Sequence, residues 1–409
     1  MKLPRKIAIY GSYNGTSIGD TAILLGLLSS IERLFGGEID VNVLVMKAVG
    51  IERECRQLDI GLKVHEIVIT EFAEPETFSA FVTRLGQRIL NRFIAPKIIK
   101  RPTLEAALKG VDHLLIGGGN LIMDLYPEAP DRLKEICDCA VRQKVAFSFI
   151  GVGAGPIDSE AGRRTLYACM KAADNVYCRD KDSLALVQKL GIKNAAEIPD
   201  LALGLSVPET LLKDDRNRDR TVLFNVASVY GPGWPYQDDS KYDDYIGNMV
   251  NVASRIASSG KFDRLVLFYS NYPLDTAGGK AFMQSLQKKK LSIDVEEIDR
   301  PLSVAEIIRL ASRAKLAVVT RLHAGIMVHH GGTPVAAVCY QPKVKSVLEA
   351  YDISNVVFDM DFKELPMKAD AVLEASDAET KPFRSRSDVT KKIDEKVEAA
   401  LHPSGKRAS

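Results

Sequence analysis

Short apolar runs alternate with segments of helical periodicity along the first half of the chain. Five of these runs have the length and composition of buried strands, at residues 6–10, 40–46, 111–116, 145–150 and 175–178. Amphipathic segments separate them. This alternation is typical of βαβ units and predicts a parallel sheet.

The second half of the chain repeats the pattern. Predicted strands lie at residues 221–227, 264–269, 293–297, 316–320 and 335–340, and the apolar positions of residues 305–314 recur at helical spacing. We therefore expect an α/β fold of two facing Rossmann-like domains. Ligands of such sheets bind beyond the carboxyl ends of the strands, so the loops there are the first place to look for chemistry.

A charged stretch separates the two series of strands. Pro208 and the polar run from Lys213 to Arg220 show no apolar period. This predicts an N-terminal domain over residues 1–207 and a C-terminal domain over 220–380. Residues 381–409 are expected to hold a closing helix, at 389–401, and a frayed end.

One segment departs from the βαβ pattern. Around residues 75–105 a helical insertion is predicted, in which Arg84, Arg88 and Arg92 recur every four residues. A basic amphipathic helix of this kind can lie on an anionic membrane. A charged face that is only solvated is the more common explanation, and we favour it.

Composition excludes several classes of protein. The 409 residues carry a formal net charge of +2, with 46% hydrophobic and 26% charged residues, which is typical of globular proteins and not of disordered chains or nucleic-acid binders. The apolar run near the start is too short for a secretory signal, and no apolar run reaches the length of a membrane span. The six cysteines follow no zinc or disulfide spacing. We expect a cytoplasmic protein without a metal site.

Two glycine loops follow predicted strands. Gly117, Gly118, Gly119 and Asn120 follow the strand at 111–116, and a second loop, with glycines at 151, 153 and 155, follows the strand at 145–150. Backbone N–H groups in such loops can bind anions or sugar hydroxyls, although any sharp turn also needs glycine. Neither loop fits a dinucleotide or P-loop pattern.

Two further segments carry candidate chemistry. Asp20 stands before an apolar helical run, where it is either the helix N-cap or a carboxylate at the domain cleft. Arg321 and His323 fall in a predicted strand–turn–helix corner after residue 320. The Arg fork and the helix N-terminus would together hold an anion there.

Short motifs in a fixed order carry a family resemblance. They are Ile18-Gly19-Asp20 with Ala22-Ile23-Leu24, Gly117-Gly118-Gly119 with Asp124, Gly151-Val152-Gly153-Ala154-Gly155-Pro156-Ile157, Arg179-Asp180 with Ser183, Leu190-Gly191, Pro199-Asp200, Arg321-Leu322-His323-Ala324 and Pro342-Lys343-Val344. This series resembles the polysaccharide pyruvyl transferases. The resemblance implies two domains similar to those of GT-B glycosyltransferases, and transfer of the enolpyruvyl unit of phosphoenolpyruvate to a sugar, with no cofactor.

The resemblance also implies roles for individual residues. Arg179 and Arg321 would bind the donor, together with His323 and the loop glycines Gly153 and Gly155. His323 would act as acid or base, because imidazole titrates near neutral pH. Asp20 and Asp124 would orient or deprotonate acceptor hydroxyls. Independently of the resemblance, the predicted acceptor site comprises Gly118, Gly119, Asn120 and Trp234. Sugars stack on aromatic rings such as that of Trp234, although a packed loop tip explains this aromatic turn equally well.

Two rival functions stay open, one because a fold does not fix a function and the other because the chain departs from the family pattern. Thr21, Val152 and Gln341 stand where such families usually carry Glu, Gln and Asp. One rival is a GT-B glycosyltransferase that uses a nucleotide sugar. The other is a non-catalytic homologue that binds an anion. The expected acceptor is a sugar, an oligosaccharide or a lipid-linked glycan, and the expected location is the cytoplasm, with possible peripheral contact at the inner membrane face.

Overall fold

A computed structural model gives the fold of most of the chain. It describes residues 4–13, 15, 17–69, 103–126, 128–212, 218–234, 236–354, 356–359, 365–377 and 387–402. The predicted basic helix around Arg84, Arg88 and Arg92 lies outside the described residues, and so does the membrane contact predicted for it.

The first sheet has seven parallel strands in the described part of the chain. They are β1 (Lys6–Tyr10), β2 (Asp40–Val45), β3 (Lys63–Val68), β4 (His113–Gly117), β5 (Ala146–Val152), β6 (Val176–Cys178) and β7 (Ala196–Glu197), in the order β3-β2-β1-β4-β5-β6-β7. The helices that accompany them are α1 (Ile18–Phe35), α2 (Ile51–Gln57), α3 (Leu104–Leu108), α4 (Ala129–Arg142), α5 (Glu160–Ala172) and α6 (Lys181–Lys189).

The second sheet repeats this arrangement with six parallel strands among the described residues. They are β8 (Asp219–Asn225), β9 (Arg264–Leu267), β10 (Asp294–Glu297), β11 (Ala314–Val319), β12 (Val335–Cys339) and β13 (Val356–Asp359), in the order β10-β9-β8-β11-β12-β13. The helices of this half are α7 (Asp239–Ser258), α8 (Thr276–Gln287), α9 (Val304–Arg313), α10 (Leu322–His330), α11 (Pro342–Ala350) and α12 (Leu365–Ala375). A final helix, α13 (Ser387–Leu401), ends the described chain.

Both sheets have the Rossmann strand order, which confirms the predicted fold class. The order reverses between β1 and β4 in the first sheet and between β8 and β11 in the second. Ligands bind at such switch points, outside the carboxyl ends of the strands. Asp20 follows β1, Gly119 follows β4 and Arg321 follows β11, so three predicted site residues lie at switch points.

Helix α1 joins the two domains. The hydroxyl oxygen of Ser17 accepts a hydrogen bond from the Asp20 N–H (3.4 Å), so Ser17 is the N-cap and the suggestion that Asp20 caps this helix is wrong. Residues 21–31 of α1 are buried, and they share one apolar core with both domains. Helix α13 returns to α1, where Arg33 and Asp394 form an ion pair of 2.7 Å.

Polar contacts also cross between the domains. The Ile18 N–H donates to the Ser270 carbonyl (3.1 Å), and the Val304 N–H donates to the Glu54 carboxylate (3.1 Å). His330 of the C-terminal domain donates from Nε2 to the Ala202 carbonyl (2.8 Å). In the described part of the chain, no helix combines the length and hydropathy that crossing a membrane requires.

Candidate active site

A cavity of about 190 Å³ lies between the carboxyl ends of the two sheets, and we call it the cleft cavity. Arg179 reaches it from the end of β6, and Arg321 and His323 reach it from the turn after β11. Its other lining residues are Ser17, Gly19, Asp180, Ser270, Asn271, Leu322, Tyr340, Gln341, Val344 and Val347. The fold thus brings together three predicted site residues that lie far apart in sequence.

Arg321 is held rigidly on the C-terminal side of the cleft cavity. Its Nε and Nη2 donate to the two carboxylate oxygens of Asp275, at 2.9 and 2.6 Å, and Asp275 is fully buried. The rings of Trp234 and Tyr340 lie 5.6 and 5.7 Å from the guanidinium carbon. Burial opposes the charge of Arg321, but Asp275 outweighs this effect and raises the pKa of Arg321. A fixed cation therefore lines the cavity, and neither bond to Asp275 uses Nη1.

His323 bridges the domains at the same end of the cavity. Its Nε2 donates to Asp200, which is 1% exposed, at 3.3 Å. Burial opposes ionisation of Asp200, but His323 and Arg179 outweigh it and lower the pKa of Asp200. The imidazole lies against the start of α1, because a Cβ on Gly19 would approach His323 Nδ1 to 2.6 Å. Glycine at position 19 therefore makes room for the ring.

Asp20 lies in the first turn of α1, close to His323 and Arg179. Burial raises its pKa to about 6, even though the nearby His323 and Arg179 act to lower it. A carboxyl group with such a pKa exchanges protons readily near neutral pH, as a general acid or base must. Perturbed groups of this kind are typical of functional sites in clefts.

The second glycine loop packs against Arg179. A Cβ on Gly153 would lie 2.6 Å from Asn120 Oδ1 and 3.1 Å from Arg179 Nη2. Asn120 donates to the Gly155 carbonyl at 2.6 Å, and Arg179 Nε lies 3.4 Å from the carboxylate of its neighbour Asp180. Gly153, predicted to bind the donor through its backbone, thus also leaves space for the Arg179 side chain. Arg179 therefore also has an ion-pair partner within its own domain.

The first glycine loop lies beside Asp20. Gly118 and Gly119 both have positive φ, and a Cβ on Gly119 would lie 3.1 Å from Asp20 Oδ1. The Gly119 carbonyl accepts a hydrogen bond from the Gly153 N–H at 2.9 Å, which ties the two loops together. The two loops therefore form one continuous surface beyond the carboxyl ends of β4 and β5.

Asp124 lies apart from this group. Its carboxylate accepts hydrogen bonds from the Asp158 N–H (2.9 Å) and from the N–H and hydroxyl of Ser159 (both 2.7 Å). Burial opposes ionisation, but these bonds outweigh it and lower the pKa of Asp124. Ser159 is the N-cap of α5, so Asp124 supports the start of that helix. Its predicted catalytic role stays a prediction.

Trp234 lies at the second sheet and not at the first glycine loop. Its ring makes an edge contact with Tyr340 (centroids 5.5 Å apart) and lies beside Arg321. The predicted acceptor residues therefore form two groups, Trp234 near Arg321 and Gly118 to Asn120 near Asp20.

Sequence reasoning missed Asp275 and gave Asp200 no role. Both partner a cavity residue across a long stretch of chain, 46 residues for Asp275 with Arg321 and 123 for Asp200 with His323. Asp200 stands in the Pro199-Asp200 motif of the family resemblance, which was a usable signal, whereas Asp275 directly precedes α8 in a segment that no motif marks. Among the residues that the structure describes, no group of three or more His, Cys, Asp or Glu could hold a metal ion.

Comparison with known proteins adds a family and a fold. The sequence model of the family described as polysaccharide pyruvyl transferase matches residues 18–342. The amylovoran biosynthesis protein AmsJ of Erwinia amylovora is 22% identical over 397 residues, which cover 87% of this chain and 88% of that protein.

Solved structures of similar fold include two UDP-N-acetylglucosamine 2-epimerases. A putative one from Listeria monocytogenes has a TM-score of 0.59 at 12% identity, over 97% of this chain and 95% of its own. The one from Neisseria meningitidis, bound to UDP-GlcNAc, has a TM-score of 0.57 at 12% identity, over 97% of this chain and 99% of its own. At this identity the likeness shows a shared GT-B-like fold alone.

Proposed function

The chain belongs to the polysaccharide pyruvyl transferase family, and we propose that it moves the pyruvyl unit of phosphoenolpyruvate onto two hydroxyls of a sugar. The product is a pyruvate ketal on a polysaccharide or on its lipid-linked precursor. The likeness to a protein named for amylovoran biosynthesis supports a role in polysaccharide synthesis.

The observation that carries the proposal is the convergence of Arg179, Arg321 and His323 on the cleft cavity. Phosphoenolpyruvate bears a carboxylate and a phosphate, and Arg binds both through charge-assisted, directional hydrogen bonds. The N-terminus of α10, which begins beside Arg321, adds a further positive end. The two arginines come from opposite domains, so one can bind the carboxylate and the other the phosphate of the same compact anion.

The volume of the cleft cavity also supports a compact donor. Sites for drug-sized ligands usually measure roughly 300–1,000 Å³. At about 190 Å³, the cleft cavity is by itself large enough for a three-carbon phosphate.

The reaction needs one proton donor and one base. A proton adds to the methylene carbon of the enol, one sugar hydroxyl attacks C2, phosphate leaves, and the second hydroxyl attacks C2. The two hydroxyls release two protons, one of which balances the proton taken up by the methylene carbon, while the other leaves with phosphate. We assign the exchange of these protons to His323, which lines the cleft cavity, and to Asp20, which is close enough to His323 to interact with it electrostatically.

The proposed setting is the cytoplasm. Phosphoenolpyruvate is an intracellular metabolite, so transfer to a lipid-linked acceptor would take place at the inner face of the membrane.

Thermal unfolding tests the donor site without any acceptor. A ligand at about 100 times its dissociation constant stabilises by about 2.7 kcal/mol, which shifts the melting temperature by several degrees. We expect phosphoenolpyruvate to produce this shift in the wild type and in Arg220→Ala, an exposed control, and the shift to vanish in Arg179→Ala and Arg321→Ala. A shift with UDP-GlcNAc alone, or a phosphoenolpyruvate shift that survives both substitutions, would contradict the proposal.

A further inference from the structure

A second cavity adjoins the cleft cavity, and we call it the flank cavity. It measures about 220 Å³ and is lined by Arg179, Asp180, Lys181, Asp182, Glu197, Ser346, Val347, Ala350 and Tyr351. Three of these residues, Arg179, Asp180 and Val347, line the cleft cavity as well. The two cavities are therefore neighbouring chambers that share one wall.

Both domains build the flank cavity. The N-terminal domain contributes the start of α6 and Glu197 at the end of β7. The C-terminal domain contributes α11, from which Ser346, Val347, Ala350 and the following Tyr351 face the cavity. Residues four apart lie on the same face of a helix, so 346 with 350 and 347 with 351 form one surface. A ligand there would contact both domains, as a ligand in the cleft cavity would.

The chemistry of the two chambers differs. The cleft cavity presents Arg179, Arg321 and His323, which suit an anion. Within the flank cavity, the cation of Lys181, the carboxylates of Asp182 and Glu197 and the hydroxyls of Ser346 and Tyr351 mix donors and acceptors. Burial, Glu197 and Asp200 raise the pKa of Tyr351 to about 12, so its hydroxyl keeps its proton as a donor. A neutral ligand rich in hydroxyls matches this set.

We propose that the flank cavity holds the acceptor sugar. The inference rests on the proposed function, because it places the second substrate of that reaction. Two substrates that react must meet. Arg179 and Asp180 border both chambers, so ligands in the two chambers would come closest to each other beside these two residues. Asp180 is well placed to accept a hydrogen bond from the incoming hydroxyl, since it lines both chambers and its Oδ1 is already fixed by the Ser183 N–H (2.7 Å).

A third cavity is the competing location for the acceptor. It measures about 140 Å³, lies beside the first glycine loop and includes Asn120, Tyr126, Ala129 and Arg132. Asn120 is a predicted acceptor residue, so this cavity is a serious rival. It shares no described lining residue with the cleft cavity, whereas the flank cavity shares three.

Matched bulky substitutions separate the two locations. Ala350→Trp fills the flank cavity from an exposed position on α11, and Ala129→Trp fills the rival cavity from the start of α4. Glu349→Trp is the control, because it places the same ring on the same helix at an exposed position outside the cavity lining. Each full-length variant is expressed in cells that lack the wild-type chain, and the pyruvate ketal content of their polysaccharide is measured.

We expect Ala350→Trp to lower the ketal content at least tenfold, and Glu349→Trp and Ala129→Trp to leave it near the wild-type level. The purified Ala350→Trp protein should keep the wild-type melting temperature and its shift with phosphoenolpyruvate, which shows that fold and donor site are intact. Normal ketal content in Ala350→Trp, or a loss in Ala129→Trp alone, would overturn the flank cavity as the acceptor site.

A second substitution tests the polar contact and not only the volume. Tyr351→Phe removes one hydroxyl and keeps the ring, so we expect a several-fold fall in ketal content with an unchanged shift by phosphoenolpyruvate. Failure of the proposed function has a different signature. In that case, wild-type chain restores no ketal and phosphoenolpyruvate shifts no melting temperature, and the flank cavity proposal falls with it.

Discussion

Arg321 and Asp275 form a two-point ion pair in which Nε and Nη2 of the guanidinium each meet one carboxylate oxygen, at 2.9 and 2.6 Å. The same carboxylate accepts a hydrogen bond from the Ser228 N–H (3.1 Å), so it ties together the segments that follow β8, β9 and β11. The pair fixes the plane of the guanidinium before any ligand arrives. Such preorganisation lowers the cost of ordering a binding residue.

Asp275→Ala should be strongly destabilising. It leaves the Arg321 charge, which is 18% exposed, without its partner, and breaking a buried pair costs about 3–5 kcal/mol. The matched control is Asp263→Ala, which removes the partner of Arg220 from an exposed pair and should cost less than about 1 kcal/mol. Urea unfolding of both variants measures the difference. Equal losses in the two variants would contradict a structural role for the Asp275 pair.

Asp275→Asn keeps the shape of the side chain and tests orientation instead. It retains one acceptor oxygen, so Arg321 can hold only one of its two bonds. We expect the folded protein to bind phosphoenolpyruvate at least tenfold more weakly, as measured by titration calorimetry. Unchanged affinity would mean that Arg321 needs no partner to bind its ligand.

Replacement of Asp20 should raise the free energy of unfolding by an amount that depends on pH. Its pKa is raised to about 6 from an ordinary value of 3.8, so the folded state disfavours the charged form. Above pH 6 this charge therefore opposes folding, and the opposition fades as the pH falls from about 6 toward 4. Asp20→Asn should be more stable than wild type at pH 7.5, and the difference in the free energy of unfolding should shrink by pH 5.

His330 also titrates in this pH range, but it does not disturb the comparison of Asp20→Asn with the wild type. Burial lowers its pKa to about 4, so the unfolded chain takes up a proton first and stability falls as the pH drops below about 6.5. This effect is common to wild type and Asp20→Asn, so it cancels in their difference. If Asp20 serves in proton transfer, Asp20→Asn is also inactive despite being more stable. A constant stability difference across pH 5 to 7.5 would contradict the raised pKa.

Sequence patterns predicted the two parallel sheets because strands of such sheets are apolar runs of clear length. Three strands missing from that prediction show its limit. Lys63–Val68 mixes polar and apolar residues without a regular period, and Ala196–Glu197 has only two residues, so each becomes a strand through its pairing with a neighbour. The third, Val356–Asp359, is a short run at the edge of the second sheet.

Candidate site residues were predictable one at a time, but their partners were not. Arg321 and His323 drew attention because an Arg and a His fell in a turn after a strand. Asp275 and Asp200 complete their geometry, and that contact depends on how strands and domains pack. The interpretation of Gly153 changed for the same reason, since the side chain of Arg179, 26 positions further along the chain, lies against it.

Gly19 and Gly153 lie against polar side chains, so an added methyl group at either position should displace those side chains. Gly19→Ala would push a methyl group to 2.6 Å from His323 Nδ1, and Gly153→Ala would push one to 2.6 Å from Asn120 Oδ1 and 3.1 Å from Arg179 Nη2. Neither glycine has a positive φ, so the effect comes from the added methyl group and not from backbone strain. We expect ketal formation to fall at least tenfold in each variant, with Gly153→Ala also weakening phosphoenolpyruvate binding.

Gly247→Ala is the matched control for these two variants. Nothing lies within 4 Å of a Cβ at that position, which is in helix α7, where Ala is favoured over Gly by roughly 1 kcal/mol. It should therefore keep full activity and unfold at the same or a higher temperature. Wild-type activity in Gly19→Ala and Gly153→Ala would show that the neighbouring side chains move aside at no cost to function.

Substitution of Trp234 distinguishes two roles for its ring, which are support of Arg321 and contact with the acceptor sugar. It was predicted to stack on the acceptor sugar, but its ring lies 5.6 Å from the Arg321 guanidinium and meets Tyr340 edge-on. A cation–π contact contributes about 0.5–2 kcal/mol, so loss of its orienting effect on Arg321 should lower donor affinity by no more than roughly 30-fold. Trp234→Ala should therefore weaken phosphoenolpyruvate binding in titration calorimetry, and Trp234→Phe should restore part of it. Tyr236→Ala is the control, because that ring is 71% exposed and lies on the same loop. If Trp234→Ala binds phosphoenolpyruvate as wild type does and loses only ketal formation, the ring serves the acceptor and not Arg321.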